Sequence, residues 1–244
     1  MKWRKEKRER PRLLEVEMLE GREMLDGTVK VAVVAGNVNI TGDNLPNCIV
    51  VAVGGGTLSV GNFDGPASAC PGPTAVIGSP VSVVGRHVNI KLKGGDDFLT
   101  NFVGAAFPKN LNIKLGLGND SVVVGAITVG GNAKIESSDG NDHVSLGVPG
   151  FPVAIAGRLD LDMGRGADIT VVFGTTVGAG FTELDADAQN DLVCVGASMF
   201  TGVTKFNGGL GTADVFADLG SNVFVTPGQP NIVNFEIMST SCSP

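Results

Sequence analysis

The chain reads as all-β, a right-handed parallel β-helix (solenoid) of about 22–26 residues per coil, with a disordered or short-helical N-terminal segment. Two observations lead there. Six aspartates, Asp97, Asp120, Asp142, Asp168, Asp191 and Asp214, recur at intervals of 23, 22, 26, 23 and 23 residues. A fixed period of that size marks one supersecondary unit copied many times, each copy burying its apolar face only against a neighbour. Composition agrees: 36 glycines, no tyrosine, one tryptophan and many short Val, Ile and Leu runs describe a chain that turns often, with no large aromatic core.

The register extends beyond the aspartates. Seven residues before the first five stand Ile90, Ile113, Ile135, Leu161 and Leu184, and two residues before the first four stand Gly95, Gly118, Gly140 and Gly166. The unit is therefore apolar strand, glycine turn, Asp, apolar strand. The last copy keeps its apolar residue, Phe206, only with one residue inserted in its turn. Upstream, Val38 and Ile40 followed by Asn47 fit the same frame, and the 50 residues from Asn47 to Asp97 predict one hidden coil between them.

Taken in order, residues 1–28 are a charged tail and a possible sorting or cap element, and residues 29–244 form the β-helix domain. Residues 1–12 are a solvated charge run without apolar periodicity. Leu13 to Leu25 places Leu14, Met18, Leu19, Met24 and Leu25 near one helical face, an amphipathic stretch suited to covering the open end of a solenoid. Three short strands follow between Thr28 and Val53. A Gly/Pro-rich loop at about 61–80 projects from a coil bearing Thr57 to Val60. From Val81 to Phe224 each coil holds about three short strands, and alternation points Ile113, Leu115, Val122 and Val124 inward. About nine coils at the ordinary interstrand spacing of about 4.8 Å span on the order of 40 Å. The tail from Pro227 carries one more strand-like piece and seals the last coil.

Charge excludes one class of partner. Residues 1–30 hold nine Lys or Arg against seven Asp or Glu, leaving nine basic and eighteen acidic residues for the body. An acidic body is a poor match for nucleic acid, whose affinity comes largely from phosphate neutralisation. No apolar run is long enough to span a bilayer, and the longest early one, Val31 to Ala35, is short for a secretory signal. Of the three pairings open to Cys48, Cys70, Cys194 and Cys242, Cys48 with Cys70 is favoured because they lie one period apart, with free buried thiols as the alternative.

Two resemblances add to this reading. LEVEMLEGREML (residues 14–25) resembles the LExLExRxLL element near the N-terminus of many planctomycete exported and surface proteins, which commonly continue into Gly/Asp-rich β-repeats. That resemblance implies an export or sorting role. The turns GGDD (94–97), GLGND (116–120), DGND (139–142), GRGAD (164–168) and GLGTAD (209–214) resemble the G-G-x-G-x-D half-motif of calcium-binding RTX repeats, here occurring once per coil. It implies calcium as cofactor, with Asp97, Asp120, Asp142, Asp168, Asp191 and Asp214 as metal ligands.

The residues themselves leave two roles open for the column. Carboxylates stacked about 4.8 Å apart repel by roughly 1 kcal/mol per pair in water and more when shielded. Calcium relieves this through roughly 6 to 8 oxygen ligands, with Asn119, Asp139, Asn141 and Asn190 beside the column. The alternative is an Asx-turn, each Asp accepting N–H groups of its own turn while water screens the charge. Catalytic constellations are thin: His143 lies on the outward side of its strand, and the pairs Asp160/Asp162 and Asp185/Asp187 read as a solvated acidic face. The sequence therefore predicts a non-enzymatic structural or interaction protein, exported or at the cell surface, with an acidic repeat face that takes calcium and an unknown surface or matrix partner. The alternative is a β-helical polysaccharide lyase or glycoside hydrolase, for which Arg86, Lys91, Lys93 and Lys114 are the nearest basic candidates.

Overall fold

The computed structural model describes residues 27–63, 70, 72–101 and 104–242, all as strands and turns without a helix among them. The expectations for the charged tail and the amphipathic stretch fall on residues outside these. Short alternating runs of Val, Ile and Leu, broken every few residues by Gly, Asn or Asp, form strands of two to eight residues. Three strands make one coil, as in Leu111–Leu117, Ser121–Val124 and Ile127–Val129. Stacking these coils gives three sheets of ten, ten and six strands, parallel except at the N-terminal end.

The file seven residues before the aspartates is continuous: Ile40, Ile90, Ile113, Ile135, Leu161, Leu184, Phe206 and Ile232 are mutual partners across the first sheet. Phe206 joins it in register, so the extra residue of the last repeat is absorbed in the turn before Asp214. Ile113, Leu115, Val122 and Val124 all face inward, none more than 4 % exposed. The longest interval, 26 residues, accommodates a small turn in which Val148 and Phe151 bridge, at the corner between the second and third sheets.

The solenoid has about seven turns rather than nine, and the difference lies at its N-terminal end. No coil is hidden between Asn47 and Asp97: Ile49 pairs directly with Leu99, and Ile40 with Ile90. Described residues on both sides of Asn47 fold back instead. Gly27–Val34 runs antiparallel to Asn37–Thr41, and Thr57–Asn62 antiparallel to Cys48–Gly54. Thr74–Ile77 and Val81–Ser82 then extend the two sheets past these hairpins. The signal for folding back was local: Ala35-Gly36 and Gly55-Gly56 sit at positive φ, as two-residue hairpin turns require.

The interior changes character along the axis. Aliphatic side chains and a single phenylalanine, Phe107, fill the described core of the first coils, whereas Phe200, Phe206, Phe216, Phe224 and Phe235 pack together in the last, with ring centroids 5.2 to 5.9 Å apart along the chain of contacts. An aromatic core thus exists at this end, against the compositional expectation. Asn231–Val233 and Ile237–Ser239 add a final partial turn. The Cys194–Cys242 disulfide pins it to the outside of the second sheet, and Cys48–Cys70 ties the N-terminal end.

Candidate functional site: an internal aspartate file

The six aspartates form one vertical file, and that file lies inside the protein. Each is 0 to 2 % exposed, against the expectation of a solvated column. The glycine two residues earlier explains how the chain brings a carboxyl there. Gly118, Gly140 and Gly166 have φ of 126°, 150° and 152°, and their backbones stack so closely that a Cβ on Gly140 would lie 1.8 Å from the Gly118 carbonyl oxygen. Only a residue without Cβ permits both the conformation and the approach.

The hydrogen bonding runs mainly between coils; within a turn, Gly211 N–H donates to Asp214 Oδ2 at 3.1 Å. The N–H of Asp97 donates to Asp120 Oδ1 at 2.8 Å, that of Asp120 to Asp142 at 2.7 Å, that of Asp142 to Asp168 at 2.7 Å, that of Asp168 to Asp191 at 2.8 Å and that of Asp191 to Asp214 at 2.9 Å. Asn47 heads the file, its N–H on Asp97 Oδ1 at 2.7 Å, and Glu236 ends it, accepting the Asp214 N–H at 2.9 Å. The Asx-turn alternative, in which each Asp accepts N–H groups of its own turn, is thereby corrected except at Asp214. At this corner the chain turns from one sheet to the next, and these N–H groups have no ladder partner, so the next coil's carboxyl supplies the acceptor that burial demands.

Sequence reasoning missed a second file one residue earlier. Asn119 N–H donates to Asp96 Oδ1 at 2.8 Å, Asn141 N–H to Asn119 Oδ1 at 2.9 Å and Ala167 N–H to Asn141 Oδ1 at 2.9 Å. These side chains reach toward the C-terminal end while the aspartates reach toward the N-terminal end, so the corner is stitched in both directions. Asn119, Asn141 and Asn190 thus spend their side-chain carbonyls on backbone N–H groups.

Each inner carboxyl keeps one unused oxygen. Oδ2 of Asp97, Asp120, Asp142, Asp168 and Asp191 is buried without a hydrogen-bond partner. Burial pushes Asp97 and Asp191 up to about 8, and Asp120 and Asp168 up to about 7; the accepted N–H bonds hold each down in part, and neighbouring aspartates add to the rise. Asp142 and Asp214 are raised for the same first cause. A buried carboxylate without counter-charge is expensive, so the group neutralises instead. Asn47 shows how: its Nδ2 donates to the carbonyl of Leu45, two residues back, at 2.7 Å.

Among the described residues, no group of three or more His, Cys, Asp or Glu side chains is arranged to hold a metal ion. The outer face of the first sheet carries the remaining charge. Lys91 and Lys114 are register neighbours, as are Asp160 with Glu183 and Asp162 with Asp185. Lys114 and Lys134 both pair with Glu136, Lys134 and Arg158 with Asp160, and Arg158 and Lys205 with Glu183. His143 is half-buried on the outward side of the second sheet, and burial lowers its pKa.

No protein-family model matches the chain, and comparison with curated proteins and with solved structures returns no match.

Proposed function

We propose that the chain is a structural or interaction protein of an exported or cell-surface setting, a stiff laddered rod presenting charged faces, and not an enzyme. The observation that carries this reading is the use of cysteine. All four form disulfides, one pair at each end of the solenoid, and such bonds persist in oxidising compartments. The planctomycete-like element at residues 14–25 points the same way. The basic side chains nearest a carboxylate support the non-enzymatic part, because Lys114 is committed to Glu136 within a run of ion pairs and not poised as a free base.

For the aspartate file we propose a structural role. Each inner coil offers one uncommitted carboxyl oxygen, whereas calcium takes roughly 6 to 8 oxygens. A calorimetric calcium titration after chelation separates the two roles: no heat and no change in melting temperature support the structural role, while a stoichiometric rise in melting temperature that Asp120→Asn abolishes assigns the ion to the file. The setting is tested on intact cells that make the protein. Labelling by a membrane-impermeant amine reagent, with no cysteine alkylated before reduction, supports it. An unlabelled, fully alkylated pool overturns it.

A further inference from the structure

Two files on the outer face of the first sheet segregate charge along the axis, beside a third in which Lys134, Asp160, Glu183 and Lys205 mix signs and pair within the molecule. Toward the N-terminal end stand Lys91, Lys93 and Lys114, all exposed; toward the C-terminal end stand Asp162, Asp185 and Asp187. Lys91, Lys114, Glu136, Asp162 and Asp185 are successive members of one file. A parallel file three residues on from Ile90 runs Lys93, Gly116, Ser138, Gly164 and Asp187, the levels being set by the pairing of Lys93 with Gly116 and by the contacts of Gly116, Gly164 and Gly209 on the residue below each.

At every level but that of Ser138, this second file has a left-handed backbone. Gly116, Gly164 and Gly209 have φ of 118°, 79° and 89°, the residues expected there. Lys93 and Asp187 adopt φ of 89° and 65° in the same file without being glycine. Backbone strain of this kind collects where a side chain is needed for function. The two strained side chains bear opposite charge and lie four coils apart, about 19 Å at the ordinary spacing of about 4.8 Å. That exceeds the screening length of about 8 Å at physiological salt, so within one molecule they do not compensate one another.

Local compensation is incomplete. Neither Lys91 nor Lys93 forms an ion pair among the described residues, in contrast to Lys114, Lys134, Arg158 and Lys205. At the other end Asp162 and Asp187 are each raised by burial first and then by neighbouring acids, partly offset by Lys134 at Asp162 and by Arg165 at Asp187. Asp185 has the amide of Asn207 at 2.8 Å.

We propose that this face is the interface of a two-fold dimer in which two solenoids lie antiparallel, face to face. A two-fold axis in the interface plane, along the strands at the level of Ala133–Glu136, keeps each file opposite itself while reversing its order. Lys93 then meets Asp187 of the second copy, Lys91 meets Asp185 and Lys114 meets Asp162, and each contact is made twice, as isologous symmetry requires. The glycines and serine between the strained ends keep the middle of the second file low. Charge complementarity of this form steers encounter and fixes register. The dimer names a partner for the interaction role proposed above and rests on it; failure of the dimer alone removes this partner, whereas failure of the surface-labelling test removes the role.

The full chain is examined by light scattering coupled to size exclusion, at low and high salt. The wild type is expected at twice the monomer mass at low salt, weakening at least tenfold in affinity at high salt. Lys91→Glu with Lys93→Glu, and separately Asp185→Lys with Asp187→Lys, are each expected to be monomeric with unchanged β-sheet circular dichroism. Mixing the two variants restores a dimer, because residues 91 and 93 of one copy then again meet residues 185 and 187 of the other with opposite charge. A wild type that stays monomeric throughout overturns the proposal, as does a dimer that survives either reversal. So does a monomer that binds a sulfated polysaccharide through the lysines.

Discussion

The backbone N–H of Asp120 donates to Oδ1 of Asp142 at 2.7 Å, across one full coil of the solenoid. The bond reaches from a main chain to the side chain stacked on it, and the same bond repeats from Asn47 to Glu236. The period of the aspartates therefore reflects a repeated need of the backbone. At every coil the corner between the first two sheets exposes one N–H to the interior, and a carboxyl from the next coil satisfies it.

Replacing Asp142 by alanine removes the acceptor of the Asp120 N–H and leaves that donor buried. The expected loss is about 1–3 kcal/mol for the orphaned group, with a further contribution from the cavity. Asp142→Asn keeps a carbonyl oxygen in place and is expected to lose less than half as much. Equilibrium urea unfolding of the two variants beside the wild type measures the difference.

Acidity should stabilise the protein. Folding raises Asp97, Asp120, Asp168 and Asp191 from 3.8 to about 7–8, so the folded chain holds protons that the unfolded chain releases. Stability from this source is complete below the unfolded value and is lost as pH rises through about 7–8. The limit is about 1.4 kcal/mol per pH unit for each group. Melting temperature is expected to fall from pH 5 to 9, and Asp120→Asn to make the fall shallower.

Backbone conformation in the file offers a pair of opposite substitutions. Gly140→Ala meets both a φ of 150° and the Gly118 carbonyl, and is expected to destabilise by several kcal/mol, at the upper end of backbone strain costs. Gln189 occupies the equivalent position before Asp191 at φ 86°, and Gln189→Gly is expected to stabilise by roughly 1 kcal/mol. Thermal melts of the two variants check both signs.

Loss of the Cys194–Cys242 bond, which joins residues 48 apart, should loosen the C-terminal turn. On chain entropy the double Cys→Ser variant loses about 4 kcal/mol. Limited proteolysis is expected to cut the variant first near residues 225–242 while the earlier coils resist, since each coil contacts only its neighbours.

The architecture was legible because stacked coils write their period into the chain. Ile90, Ile113 and Ile135 had to be equivalent if each coil was to cover the last, and the structure pairs them. The interval from Asn47 to Asp97 misled for a physical reason: antiparallel hairpins use the same alternating Val and Ile residues as parallel coils, and length alone does not distinguish them. Pairing of Cys48 with Cys70 was anticipated, yet through coil register, whereas the chain reaches it by folding back. Burial of the aspartates was missed because a recurring acidic residue reads as solvated. Two signals pointed inward: Asn47, a neutral amide, heads the file, and the residues two places on, among them Leu99, Val122 and Val144, are core residues.

Burial in the file should leave Asp97, Asp120, Asp168 and Asp191 holding protons up to about pH 7–8. Carbon-13 NMR titration of the aspartate side-chain carboxyls measures it directly. A set of resonances is expected to titrate near pH 7–8, assigned by their loss in Asp97→Asn, Asp120→Asn, Asp168→Asn and Asp191→Asn. Titration of all four in the ordinary carboxylate range near 3.8 would contradict it.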